Sequence, residues 1–327
     1  MLGVKRLEKR QEASRSSEIE GCATMMQHSS NWTKLEPGVN TTDADKAPTY
    51  SLQSEAGDFE CSVSGLRWVC KEKISFQYHF CSWGGHMERV ESRQYMPAGP
   101  VIDVAVTAGQ LSEMHLPHWV CIDDIPDKFA VLHLDDCGDF VEEVREVTAS
   151  HVKLNELTYF PKAVVMKMGP PVKISCNVLL YYKPNTPFLK LHVFVIPNDP
   201  ALQRKVDKQE LCYGYEKITK PRPDEYLKMH HGFSLTADTH SAEIQPKKIT
   251  LRYNGQDSNF YEVYIENPKG CFNLKLQYAL SKKYEPVYEP VWTCKLQKDD
   301  HPKSGYGEGP RSSRGVTGVT TVDKHCE

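Results

Sequence analysis

No stretch of this 327-residue sequence approaches the roughly 20 consecutive apolar residues that a membrane-spanning helix needs, so the sequence predicts no bilayer anchor. The N-terminal stretch MLGVKRLEKRQEASRSSEIEG has basic residues but no apolar run after them, which predicts no secretory leader. Charge of either sign is also scarce in excess. The 40 basic and 43 acidic residues leave a formal charge of −3, too little to attract nucleic acid or an anionic membrane, and neither is expected as a partner. The eleven cysteines include no Cys-x-x-Cys, are odd in number and stand singly along the chain, so they read as reduced thiols of a cytoplasmic protein. Asn31-Trp32-Thr33 and Asn40-Thr41-Thr42 match the glycosylation acceptor pattern, which has meaning only in a secretory compartment. G-x-S-x-G, P-loop, G-x-G-x-x-G and H-E-x-x-H motifs are all missing, which removes the usual support for hydrolases, nucleotide-binding proteins and zinc peptidases. No cofactor is called for.

What is present is the material of a β-rich interior. Hydrophobic residues make up 39% and aromatic residues 10% of the sequence, enough for a normal buried core, and the length suits about two domains. Residues 1–57 are rich in Ser, Glu, Lys, Thr and Asn and predict a flexible lead. From Phe59 onward, short runs of Val, Ile, Phe, Tyr and Thr alternate with Gly, Pro, Asn and Asp. These runs predict strands at Phe59–Val63, Leu66–Cys70, Ile74–Phe80, Val101–Val106, Glu113–Pro117, Phe129–Leu134 and Val147–Leu154. A second series covers Ala163–Met168, Ile174–Tyr182, Leu189–Ile196, Leu211–Ile218, Phe233–Ala237, Ile249–Tyr253, Tyr261–Glu266 and Cys271–Tyr278. One helix is predicted over Asp199–Lys208, with Asp199 as its cap, Pro200 at the first helical position and basic residues late against the dipole.

So little helix between strands disfavours a parallel βαβ sheet, and two consecutive antiparallel β-sandwiches are the expected all-β architecture. The turn-prone sequence around Pro161 and Gly169-Pro170-Pro171 places the seam near residues 155–172. The expected domains are a lead at 1–57, a first sandwich at 58–160, a second at 161–298 and a disordered tail at 299–327.

Three groupings bear on chemistry. His115, His118, Cys121, Asp123 and Asp124 are zinc-ligand types close in sequence. On a strand ended by Pro117, however, the two histidines fall on opposite faces and do not converge, so no metal is expected. His133-Leu-Asp135-Asp136-Cys137 offers a base and a thiol at a strand end, yet nothing nearby predicts a lowered thiol pKa, and Cys137 reads as an ordinary cysteine. Lys247-Lys248, Lys282-Lys283 and the alternating aromatics from Phe260 to Tyr264 read as solvated strand ends and cross-strand packing.

Phe59-Glu-Cys-Ser-Val-Ser-Gly-Leu-Arg-Trp68, Cys81-Ser-Trp83, Ala98-Gly-Pro-Val-Ile-Asp103, Met114-His-Leu-Pro-His118, Cys176-Asn-Val-Leu-Leu-Tyr-Tyr182 and Val193-Phe-Val-Ile-Pro197 occur in this order. Together they resemble the function-to-find domain of inflammasome sensor proteins, over about Phe59 to Leu296. The resemblance implies a ZU-type sandwich followed by a UPA-type one. It also implies self-cleavage at a Phe-Ser bond between the halves, assisted by an upstream histidine, with the fragments staying associated. Protein partners follow from it too: inflammasome components, a cytosolic dipeptidyl peptidase, and self-association through the UPA-like half. No death-fold-like segment is read after Leu296 and no NACHT or repeat region before Phe59, so the expected role is that of a non-catalytic interaction module in innate immune signalling. A scaffold of the ankyrin or netrin-receptor kind is the plainer alternative.

Aligned on Val165-Met-Lys-Met168, the family's serine falls on Phe160, its preceding phenylalanine on Tyr159 and its histidine on His133. Phenylalanine has no heteroatom for attack, so self-cleavage is expected to be lost and these positions to be vestigial. The carboxylate that accompanies the histidine is left unassigned. Thr158, two residues earlier and on the same strand face, is the alternative nucleophile.

Overall fold

The computed structural model describes residues 32–40, 47–122, 126–135, 137–155, 157–158, 160–169, 171–253, 259–266, 270–279 and 289–302. Among them the chain forms short strands in several sheets, nearly all antiparallel, with two α-helices, Met87–Ser92 and Pro200–Cys212. The all-β architecture in two consecutive parts is as the strand-and-turn texture predicts.

In the first half, one sheet runs in the order Thr33–Leu35, Gly57–Cys61, Arg67–Cys70, Glu113–Pro117, His151–Lys153. It faces a larger sheet ordered Phe140–Glu143, Phe129–His133, Lys162–Lys167, Val101–Ala108, Ile74–Cys81, Thr49–Ser54, Gly38–Asn40, with Tyr95–Pro97 also paired to Lys162–Lys167. Period-two alternation divides the larger sheet's side chains between its faces. Phe129, Val131, Val164, Met166, Ile102 and Val104 enter the main core with Trp68, Met114 and Leu116. Ala130, Leu132, Ala163, Val165 and Val101 pack on the opposite face around Trp83 and Val90.

This sheet departs from the sequence reading in several places, Gly38–Asn40 in the expected lead and Phe140–Glu143 among them. Thr49–Ser54 lies in the expected lead but forms a strand on Ile74–Cys81. Tyr50 stacks on Tyr78 at 5.0 Å and Leu52 is buried, so one short alternation provides the burial that composition averaged over 57 residues conceals. Lys162–Lys167, expected to open the second series, pairs instead with Phe129–His133, Tyr95–Pro97 and, at Lys162, with Ile102 of the first half. Its residues Ala163 to Met166 are buried on both faces, and only a neighbour on each side satisfies a backbone so placed. The chain then crosses at Lys173–Ile174, where the Cys121 amide donates to the Lys173 carbonyl and the Ser175 amide to that of Trp119.

The second half has a sheet ordered Glu216–Ile218, Cys176–Tyr182, Leu189–Pro197, Phe260–Ile265, Ala242–Gln245 and another ordered Ile249–Thr250, Gly232–Ala237, Phe272–Tyr278, Trp292–Leu296. The helix starts as expected: Asp199 accepts from the amides of Ala201 and Leu202, and Pro200 occupies its first turn. It continues to Cys212, so Leu211 is helical rather than extended and Arg204, Lys205 and Lys208 lie away from its last turn. Tyr253 ties the halves together, stacking on Trp119 at 5.8 Å and donating its hydroxyl to Asp199 at 2.6 Å.

Candidate functional site

Opposed residues in an antiparallel pair share a face, and so do diagonal neighbours two positions along. His133 is opposite Phe140 on one side and Lys162 on the other, and Glu142 is Phe140's neighbour on the same face. The register thus gathers an imidazole, a carboxylate, an ammonium and a phenyl ring at the end of the core-facing row that begins with Phe129 and Val131. His133 and Lys162 are fully buried.

The imidazole has a partner on each nitrogen. Nε2 lies 2.7 Å from Glu142 Oε2, and Nδ1 lies 2.8 Å from Thr158 Oγ1. In the tautomer that donates Nε2–H to Glu142, Nδ1 is the acceptor for the Thr158 hydroxyl. Glu142 is itself oriented by the Asn155 amide, 2.8 Å from its Oε1. Phe140 covers the imidazole face to face, with centroids 4.4 Å apart and an interplanar angle of 4°. Phe160, 38% exposed, meets Phe140 edge-on at 6.3 Å. Lys162 donates to the carbonyl of Thr158. Burial lowers its pKa to about 8, against the opposing pull of Asp103 and Glu142.

The arrangement is a hydroxyl, a base and a carboxylate in series, the pattern that activates an oxygen nucleophile. The structure brings His133 and Thr158 together and leaves Phe160 outside the hydrogen-bonded chain; Tyr159 lies outside the described residues. Glu142 and Lys162 went unrecognised in the sequence. Lys162 was detectable, because it shares the parity of Val164 and Met166 on an inward-facing strand. Glu142 sits in Phe-Val-Glu-Glu, which has no strand signal of its own, and only the pairing with Phe129–His133 reveals it.

The other groupings do not form a site. Cys137 is exposed and its amide is held by Asp135 at 2.9 Å, while both nitrogens of His133 are engaged elsewhere. His115 and His118 are both buried. His118 Nε2 lies 2.9 Å from the Thr148 carbonyl oxygen, and His115 Nε2 lies 3.5 Å from Glu113. Burial lowers the pKa of His118 to about 4 and that of the neighbouring His151 to about 3. No three metal-ligating side chains converge among the described residues, and Asp123, Asp124 and Asp136 lie outside them, as do Asn31, Thr41, Thr42, Lys282 and Lys283. No helix of the described residues is long and apolar enough to cross a membrane.

Comparison with known proteins agrees with the order of motifs. Residues 43–172 match the family described as Function to find, and residues 174–296 match the UPA-FIIND domain. The chain is 30% identical over 241 residues to the NACHT, LRR and PYD domains-containing protein 1 homolog of Danio rerio, covering 72% of this chain and 17% of that protein. It is 26% identical over 246 residues to NACHT, LRR and PYD domains-containing protein 1b allele 5 of Mus musculus, covering 72% of this chain and 20% of that protein. The 1a allele 1 protein of Rattus norvegicus is 26% identical over 255 residues, 75% of this chain and 20% of its own length. The chain therefore spans about a fifth or less of the length of these relatives. It belongs to the function-to-find family, with a function-to-find domain followed by a UPA-FIIND domain.

Proposed function

We propose that this protein is a cytoplasmic interaction module of innate immune signalling that keeps its two halves in one uncut chain. The observation that carries this reading is the side chain at position 160, a phenyl ring packed on Phe140 with no oxygen or sulfur to attack a carbonyl. The His133, Tyr159 and Phe160 positions are then the remains of a processing site.

Thr158 is the rival nucleophile, since its hydroxyl has the base. Cleavage by Thr158 requires attack on the preceding carbonyl, that of Leu157, with that oxygen polarised as it becomes an oxyanion. Lys162 instead polarises the carbonyl of Thr158 itself. Attack there would close a strained β-lactone ring. The activated hydroxyl and the polarised carbonyl do not form a productive pair, which supports an uncut chain. The partners proposed from the family are inflammasome components and a cytosolic dipeptidyl peptidase, with self-association through the UPA-FIIND half.

Intact mass spectrometry of the purified chain at neutral pH tests the reading, beside Phe160→Ser and Phe160→Ser/His133→Ala variants. The natural chain is expected to stay whole, and Phe160→Ser to be cut before residue 160 only when His133 is present. Two fragments from the natural chain, divided before Thr158, would instead establish the self-cleaving alternative.

A further inference from the structure

The relay around His133 outlives the loss of the residue 160 hydroxyl, and its geometry points to a second use. Thr158 belongs both to the relay and to the wall of a cavity of about 110 Å³, lined otherwise by Val104, Val106, Leu111, Met114 and Leu157 together with Gly109 and Gln110. Val104 and Val106 in its wall come from the larger sheet of the first half, Met114 from the smaller, and Leu157 and Thr158 from the strand-to-strand connection. The cavity is somewhat smaller than the engineered cavity of ~150 Å³ that accepts benzene, a size suited to a short unbranched alkyl chain. Three things an acyl-transfer site needs therefore meet at Thr158: a hydroxyl with its base, a carboxylate orienting that base, and a cavity partly lined by apolar side chains.

We infer that Thr158 is an acyl-accepting nucleophile toward small activated esters with a short apolar acyl chain, His133 acting as its general base. The inference rests on the reading that the chain stays whole, because cleavage before residue 158 would destroy the backbone that holds Thr158 against His133. In the step, Thr158 Oγ1 attacks the ester carbonyl carbon while its proton passes to His133 Nδ1. The bond from that carbon to the leaving oxygen then breaks, and the leaving oxygen takes the proton from His133. The products are an ester on Thr158 and a free alcohol or phenol, with no change of oxidation state. Glu142 is a positioning residue: its contact with Nε2 fixes the tautomer in which Nδ1 accepts. Lys162 is held on the Thr158 carbonyl and takes no part in the step. The acyl chain occupies the cavity between Val104, Leu111 and Met114.

The test incubates the full chain with p-nitrophenyl butyrate and follows it by intact mass and peptide mapping. The expected result is one butyryl group on Thr158 of an unbroken chain. It should be absent from a folded Thr158→Val variant, form about 100-fold or more slowly in His133→Asn, the contribution of a positioned general base, and form more slowly in Glu142→Gln with a changed pH profile. The map of the natural chain needs no variant to fold. A whole chain that stays unmodified, or that carries butyryl groups only on lysines or cysteines, overturns the inference and leaves the uncut reading standing. A chain found divided before residue 158 overturns both.

Discussion

Two buried histidines, one in each half, are held by the same kind of partner in different surroundings. His133 sits between Glu142 and Thr158. His192, on the strand Leu189–Pro197, has Nδ1 2.8 Å from Glu210 Oε2, and its Nε2 lies 2.9 Å from the Tyr215 hydroxyl and 3.3 Å from Glu262 Oε1. Glu210 is contributed by the helix Pro200–Cys212 and is almost fully buried, so this pair fastens the helix to the sheet. Tyr215 stacks on the ring at 4.1 Å and Phe260 closes another side at 4.9 Å. Around His133 the third partner is an aliphatic hydroxyl beside a cavity; around His192 it is a phenol within an aromatic cluster. The comparison teaches that an imidazole–carboxylate pair does not define a reactive site. On the proposed reading, the third group, and the space next to it, does.

The comparison is broken most severely at Glu210. Glu210→Ala leaves His192 without its buried carboxylate and the helix without its tie, and should cost about 3–5 kcal/mol in urea or guanidinium unfolding, the usual loss when one member of a buried pair is removed. Lys162 gives the next effect, with a definite sign. Burial depresses its folded pKa from 10.5 to about 8, so the penalty for an interior ammonium applies in full below about pH 8 and is relieved as pH rises toward 10.5. Stability should rise across that window by up to about 3 kcal/mol. A Lys162→Met variant, with Asp103 and Glu142 unchanged, should lack that rise, as denaturant unfolding at a series of pH values would show.

The smallest pair sharpens the contrast. Tyr215→Phe should cost about 1–2 kcal/mol, since it removes a hydroxyl from a closed cluster, whereas Thr158→Val should cost about 1 kcal/mol, because its site keeps access to water. If thermal or chemical unfolding reversed that order, with Thr158 the costlier loss, the His133 relay would be the structural element and the His192 cluster the dispensable one.

Much of the fold was legible because its signals are local. The alternation in Ile74–Phe80 marks a strand observed over Ile74–Cys81, Glu113–Pro117 is found where expected, and Asp199-Pro200 marks the helix start through its own capping chemistry. The strand Phe140–Glu143 was not legible, since two adjacent glutamates break the alternation and its stability comes from the neighbouring strand. The helix Met87–Ser92 was missed for a related reason, being too short to show a period. In the site, His133, Thr158 and Phe160 could be named from the sequence, whereas the partnership of His133 with Glu142 and Lys162 is a product of register. Register joins residues nine and twenty-nine positions apart on one sheet face, and no short window of sequence contains it.

The strand Lys162–Lys167 has a mechanical consequence. It is gripped by Phe129–His133 on one flank and by Tyr95–Pro97 and Ile102 on the other, and the backbone runs from its end into the UPA-FIIND half. Tension applied along that direction loads the flanking hydrogen bonds together, in shear, rather than peeling them one after another. The junction between the halves therefore behaves as an anchored tendon, which yields when the sheet around it is dismantled and holds when the second half alone is pulled.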